Sequence, residues 1–112
     1  MSNVYKNAIY KPTTTANTTV YTCNATARAI IQNIQFANST GTHTISAHVF
    51  SHINSTTIQI GIDTMAAKTS INLALGPIIL QERDALLLSS ESTADITAIV
   101  SIMEVNRGSL TS

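Results

Sequence analysis

The stretch that decides the fold class is residues 71–105, INLALGPIILQERDALLLSSESTADITAIVSIMEV. Its alternating apolar residues are interrupted at Gly76-Pro77 and again by an acidic turn at residues 82–84. Proline has no backbone donor for a ladder and glycine accepts unusual backbone angles, so a strand ends at such a pair. The pattern therefore predicts strand, turn, strand, turn, strand.

The closing run of this stretch has the period of two that is typical of a pleated strand. One face carries Ile96, Ala98, Val100 and Ile102, and the other carries Thr97, Ile99, Ser101 and Met103. Because the second face also contains apolar side chains, we predict a central strand that is covered on both faces. The residues expected in the core are Ile60, Leu73, Leu86, Val100 and Ile102.

Working outward, the same alternation predicts strands at residues 4–10, 20–23, 28–37, 44–50 and 58–62. A hairpin turn is expected at residues 38–41, and residues 65–68 are the one place where a helical turn is expected. Short strands at regular spacing predict an all-β fold, a single-domain antiparallel β-sandwich that is jelly-roll-like and has about eight strands. We divide the chain into an N-terminal strand or assembly arm (residues 1–12), the sandwich (13–106) and a polar tail (107–112).

The composition limits the classes of partner. The chain has 112 residues, 11% of them charged, and a formal net charge of zero. It therefore lacks the basic surface expected of a nucleic-acid or membrane-surface protein, and no apolar run approaches the length of a membrane span. No apolar signal-like run occurs in residues 1–12. A neutral surface rich in hydroxyl groups has little self-repulsion, which favours packing among neighbours, although a monomer with a threonine-rich β surface has the same composition.

No pattern of reactive residues indicates catalysis or a cofactor. His43 and His48 are separated by an odd number of residues along a predicted strand, so they project to opposite faces and cannot both join His52 around a metal. The acidic residues of the second half lie at predicted turns, where carboxylates bond to local backbone amides; these are Glu82, Asp84, Glu91 and Asp95. Cys23 is the only cysteine. We predict that it is buried, and we expect no metal, no cofactor and no enzymatic activity.

The N-terminal strand is the candidate contact surface. Val4 and Tyr10 lie on one of its faces and Tyr5 and Ile9 lie on the other. A strand at the edge of a small sandwich usually keeps one face polar, and an exposed apolar edge favours pairing with another chain. We therefore expect Val4, Tyr5, Ile9 and Tyr10 to make assembly contacts, the alternative being that both faces pack within one subunit.

The order of these segments resembles a family of small virion structural proteins of tailed bacteriophages. The resemblance rests on an opening Tyr-Lys strand, a T-x-Y-T strand, an A-N-S/T turn, a G-P-I-x-L-x-x-x-D element and the closing strand. In this chain they are Tyr5-Lys6 or Tyr10-Lys11, residues 18–22, Ala37-Asn38-Ser39, residues 76–80 with Asp84, and residues 95–105.

This resemblance implies a non-enzymatic protein that is present in many copies on a virion and is made in the bacterial host cytoplasm. It implies first a capsid decoration, or cement, protein that binds the major capsid protein as an oligomer, often a trimer. A neck, tail or fibre-associated protein is the alternative within the class. A host-glycan-binding module is the alternative from another class, and exposed aromatic residues near loop tips would distinguish it.

Overall fold

The computed structural model describes residues 2–74 and 77–106. The predicted polar tail at 107–112 and the glycine of the Gly76-Pro77 break lie outside the described residues. The nine strands are β1 (Ser2–Tyr10), β2 (Thr18–Thr22), β3 (Ala27–Asn38), β4 (His43–Ser51), β5 (Thr56–Met65), β6 (Thr69–Asn72), β7 (Ile78–Leu80), β8 (Ala85–Ser90) and β9 (Ile96–Asn106). In this part of the chain, no helix is long and apolar enough to span a bilayer.

The strands form two antiparallel sheets that pack as a sandwich. The first sheet has the order β1-β9-β3-β6, with β7 also paired to β3, and the second has the order β2-β8-β4-β5. Successive pairs are nested, because β4 pairs with β5, β3 with β6 and β7, β2 with β8, and β1 with β9. This is the connectivity of a jelly roll, so the predicted fold class is confirmed.

The predicted count of about eight strands agrees with the nine observed strands, because β6 and β7 both pair with the same edge of β3 and together occupy one place in the sheet. β6 pairs with β3 at residues 35–38, and β7 pairs with β3 at residues 29–31. The chain leaves the ladder between them, in the segment that contains Pro77. A proline cannot donate to a ladder, so it is tolerated at the sheet edge, where this interruption lies.

The core lies between the inner faces of the two sheets. Leu86, Val100 and Ile102 are fully buried and Leu73 is buried, as predicted. The largest fully buried side chains are Tyr10, Ile31, Ile34, Phe36, Ile45, Met65, Leu80, Leu86, Leu88, Ile96, Val100 and Ile102. The rings of Tyr10 and Phe36 meet edge to face with centroids 6.1 Å apart. The N-terminal strand therefore contributes to the core.

Two sequence-based expectations about burial are wrong. β9 is central, between β1 and β3, but only one of its faces is covered, and Ile99 on the other face is 41% exposed. The described chain forms two layers, so no third layer covers the outer face. Ile60 is only half-buried, because β5 is an edge strand with a bulge opposite Ala47 and His48, and Ile58 and Ile62 are exposed.

The hairpin expected at residues 38–41 is wrong, because β3 lies in the first sheet and β4 in the second; the turn there connects the two sheets, and a buried amide supports it. Gly41 has a φ of +73°, a left-handed conformation that glycine adopts without strain. The Asn38 side chain donates to the carbonyl oxygens of Gly41 (2.7 Å), Ala66 (3.1 Å) and Met65 (3.3 Å). The helical turn expected at 65–68 is absent, because β5 extends to Met65 and a turn with Lys68 at φ +60° follows.

Candidate functional site

The predicted assembly residues of β1 divide between the surface and the core. Tyr5 is 74% exposed and Ile9 is 70% exposed, and both project from the outer face of the first sheet. Val4 is exposed near the start of the inner face, whereas Tyr10 is 1% exposed and belongs to the core. The surface available for contacts on this strand is therefore formed by Val4, Tyr5 and Ile9, without Tyr10.

The strand register places an apolar row across the outer face of the first sheet. Tyr5 pairs with Met103, Met103 pairs with Ile30, and Ile30 pairs with Ile79, so one residue from each of four strands lies in line. Ile79 is 65% exposed, and Met103 and Ile30 are half-buried. We call these four residues the apolar row. Isolated exposed apolar residues are normal, but a continuous row marks a contact surface.

A second apolar pair lies on the same face, four residues further along β1. Ile9 pairs with Ile99, and both border an open depression of about 440 Å³. Lys11, Gln35, Ala37, Thr97 and Ala98 complete its lining. The depression contains one cation and no carboxylate among its lining residues, so it offers apolar contacts and shape rather than an acid–base pair.

A buried charged residue, Glu104, belongs to a cluster that joins three strands. Glu104 projects from β9 into the sandwich, accepts a hydrogen bond from the Tyr21 hydroxyl of β2, and lies 3.2 Å from the Lys6 ammonium of β1. Because β2 belongs to the opposite sheet, the bond from Tyr21 links the two layers. Cys23 lies nearby, buried, with its thiol donating to the Ala27 carbonyl oxygen at 3.2 Å.

The ionisation of this cluster is fixed by burial and by these bonds. Desolvation, and after it the hydrogen bond to Glu104, raises the pKa of Tyr21 far above its usual value, so the phenol stays protonated and donates. The same bond from Tyr21 lowers the pKa of Glu104, with Lys6 contributing further and desolvation opposing both. Desolvation raises the pKa of the Cys23 thiol, which keeps it a weak nucleophile. The cluster is therefore built to hold strands together.

A second polar cluster, at the other end of the sandwich, also lacks catalytic geometry. His43 Nε2 lies 3.1 Å from Asp95 Oδ2, and the Thr40 hydroxyl bonds Asp95 Oδ1 at 3.1 Å. A hydroxyl nucleophile needs direct contact with the base, but here the hydroxyl and the imidazole both bond the carboxylate. Glu91 accepts from the Thr44 amide at 2.8 Å. These residues close the turns between strands.

The two remaining acidic turn residues also have structural partners. Asp84 accepts from the backbone amides of His52 (2.9 Å) and Gln81 (3.1 Å), and Glu82 pairs with Arg28 at 3.5 Å. Of the acidic turn residues, only Asp84 bonds a local amide, that of Gln81; the other bonds described here reach residues 32 to 55 positions away, so the expected local backbone bonding is confirmed only for Asp84. Across residues 2–74 and 77–106, no group of three His, Cys, Asp or Glu side chains could hold a metal ion.

Sequence reasoning missed the Tyr21, Glu104 and Lys6 cluster, although one signal was present. Glu104 follows Val100 and Ile102 on the even-numbered, apolar face of the last strand. A charged residue in that position needs a partner inside the sandwich, because an unpaired buried charge is very costly. The identity of the partners depended on strand order, which the sequence pattern does not contain.

No protein-family model matches the sequence, and no curated protein matches it. Among solved structures, one similar to this chain comes from Bacillus endospore appendages, which are described as disulfide-linked pili. The TM-score is 0.53, with 13% identity over 94% of this chain and 88% of that one. At this identity the similarity shows the fold, a jelly-roll sandwich.

Other similar structures with lower TM-scores include viral capsid proteins. A pentameric capsid protein from metagenomic phage sequences has a TM-score of 0.41 and 12% identity over 92% of this chain and 67% of that one. The particle of the extra small virus of the giant freshwater prawn Macrobrachium rosenbergii has a TM-score of 0.40 and 11% identity over 92% of this chain and 80% of that one. The class to which the fold assigns this chain is the jelly-roll β-sandwich.

Proposed function

We propose that this chain is a non-enzymatic virion structural protein of a tailed bacteriophage, and specifically a capsid decoration protein that binds the major capsid protein as an oligomer. The sequence resemblance provides the assignment to a phage virion. The observation that carries a structural role is the apolar row, because a two-layer sandwich that functioned alone would keep this outer face polar. The polar clusters described above stabilise the fold and leave this face as the surface for a partner.

Specific observations disfavour two alternative functions. A glycan-binding module uses aromatic platforms, but of the five Tyr and Phe residues only Tyr5 is largely exposed, and it lies within a strand. A pilus subunit joined by disulfides, as the Bacillus appendages are described, requires accessible cysteines, whereas Cys23 is the only cysteine and is buried. A neck or tail protein of the same virion remains the nearest alternative.

The test is the location and copy number of the protein on purified particles. Cryo-electron microscopy combined with quantitative mass spectrometry should find many copies distributed over the head lattice. A few copies at one vertex or along the tail would replace the decoration assignment with the neck or tail alternative. Absence from the particle would overturn the proposal as a whole.

A matched pair of variants tests the contact face. Ile79→Thr changes the apolar row, and Ile62→Thr makes the same change at a 58% exposed isoleucine on β5 of the opposite sheet. Loss of a buried isoleucine from a contact should weaken binding to particles at least about tenfold. We expect this for Ile79→Thr and not for Ile62→Thr, as measured by cosedimentation with particles that lack the protein. Equal binding by the two variants would assign the contact to another face.

A further inference from the structure

The two sheets have four edges, and three of them carry features that limit pairing with another chain. β2 has five residues and a register shift between Thr19 and Tyr21. The edge formed by β6 and β7 consists of four and three residues, separated by the segment that contains Pro77. β5 has the bulge opposite Ala47 and His48. Short strands, bulges and prolines are the usual protections of a sheet edge.

The fourth edge, β1, has none of these protections. Its nine residues pair with β9 in one unbroken register, from Ser2 opposite Asn106 to Tyr10 opposite Ala98. Its outer face carries Tyr5, Asn7 and Ile9, all exposed and uncharged. The one charge in the strand, Lys6, is paired with Glu104. β1 is therefore a long, regular and neutral edge, which is the kind that adds a strand from another chain.

One antiparallel register of β1 with a second copy of itself pairs its exposed apolar side chains and keeps the two lysines apart. If the two copies are to continue both faces of the sheet, the two-fold axis must lie midway between the two copies of one residue. Only then do residues of the same face oppose each other. An axis at Lys6 would place the two Lys6 side chains opposite each other. An axis at Asn7 places Tyr5 of one copy opposite Ile9 of the other, and Lys6 opposite Ala8.

We propose that two copies of this protein associate through their β1 strands, antiparallel and with Asn7 on the two-fold axis, so that the two first sheets become one continuous sheet. The register pairs apolar side chains on the outer face, avoids opposed lysines, and leaves the Lys6–Glu104 pair intact. It brings the apolar row of each copy next to Ile9 and Ile99 of the other, which widens the proposed contact face. The dimer replaces the trimer that the resemblance implies.

This inference rests on the proposed function only in assuming that the protein self-associates, and the two can fail separately. A protein that binds particles as a monomer would retain the decoration role, but it would overturn the dimer and the self-association that both proposals assume. A dimer that is absent from particles would retain the two-fold contact and overturn the proposed function. A trimer by sedimentation equilibrium would overturn the two-fold contact.

Cysteine cross-linking tests the register. Residues directly opposite each other in an antiparallel pair have Cα atoms about 4.5 to 5.5 Å apart, within disulfide range. Asn7→Cys should therefore give a covalent dimer under mild oxidation. Tyr5→Cys should not, because in this register the two copies of residue 5 are about 13 Å apart. A mixture of Tyr5→Cys and Ile9→Cys chains should cross-link. Equal cross-linking by Asn7→Cys and Tyr5→Cys, or none by Asn7→Cys, would overturn the register.

A charge exchange at the axis provides an independent measurement. Asn7→Lys and Asn7→Asp each place like charges opposite each other and should raise the dissociation constant of the dimer roughly fivefold at low salt. An equimolar mixture of the two variants should restore association, because lysine then faces aspartate. Thr57→Lys and Thr57→Asp, at an exposed position on the β5 edge, are the controls and should change nothing. Weakening that the mixture does not reverse would contradict the proposed axis.

Discussion

At the scale of single residues, Glu104 is the side chain whose environment has the clearest consequence for stability. It is buried on the inner side of β9, and the Tyr21 hydroxyl and the Lys6 ammonium satisfy its two carboxylate oxygens. Lys6 is half-exposed, so its ion pair is screened by water and contributes little. The hydrogen bond from Tyr21, which links the two sheets, is the more important interaction.

The lowered pKa of Glu104 predicts a pH dependence of unfolding. A carboxyl group with a depressed pKa in the folded state stabilises the protein fully above its usual value of 4.5, and that contribution is lost as the pH falls through the folded pKa. Glu104→Gln should lower the free energy of unfolding by about 1 to 3 kcal/mol at pH 7 and flatten its dependence on pH below about 4.5. Urea titrations from pH 3 to pH 7 measure both; parallel pH profiles for the two proteins would contradict the prediction.

The alternation of β9 predicts unequal costs for the same truncation at two isoleucines. Ile102 is fully buried between the sheets, so Ile102→Ala should cost about 2 to 5 kcal/mol of stability. Ile99 is partly exposed on the outer face, so Ile99→Ala should cost less than half as much, and Thr97→Ala should cost well under that. Denaturant midpoints measured at one protein concentration test the order of the three stability losses. Equal losses at Ile99 and Ile102 would mean that the outer face is covered.

At the scale of elements, β1 has two roles because its two faces have different surroundings. Its inner face completes the core through Tyr10, which packs against Phe36. Its outer face and free edge remain available to another chain. Deletion of residues 1–11 should therefore unfold or strongly destabilise the protein, so the deletion cannot by itself distinguish a core strand from an assembly arm.

Point substitutions in β1 separate the two roles. Tyr10→Ala should lower the free energy of unfolding by about 3 kcal/mol or more, because it leaves a large cavity in the core. Tyr5→Ala should change it by less than about 1 kcal/mol, since the Tyr5 side chain is mostly in solvent, while weakening self-association. Thermal denaturation at a concentration below that of association, followed by sedimentation velocity, measures the two effects. A large loss of monomer stability for Tyr5→Ala would place its side chain in the subunit's own core.

At the scale of the whole molecule, the nested strand pairing places the first and last strands beside each other. All nine residues of β1 pair with β9, and only β4 and β5 form a local hairpin among the described strands. Most of the ladder therefore joins segments far apart in sequence, and loop closure has to precede these contacts.

This topology predicts slow folding. Refolding from urea should occur in milliseconds to seconds, the range of all-β proteins dominated by non-local pairing, rather than in microseconds. The chain has no tryptophan, so stopped-flow circular dichroism or tyrosine fluorescence is the appropriate measurement. A refolding phase completed in microseconds would show that local structure, and not the nested ladder, limits the rate.

The sequence by itself determined the approximate positions of most strands and which residues of β1 and β9 share a face. These properties depend on a period of two and on the chemistry of Gly, Pro and Asn, which act over a few residues. Bulges in β3 and β5 shift the alternation within those strands, so Ile30 and Ile34 lie on opposite faces, as do Ile58 and Ile62. Only the tertiary structure decided which faces are covered. Ile99 and Ile62 lie on alternating apolar strands like Ile102, yet they are exposed because no layer packs over them. Likewise, Glu104 and Tyr21 meet only because β9 and β2 lie in facing sheets, a placement set by pairing between segments at opposite ends of the chain.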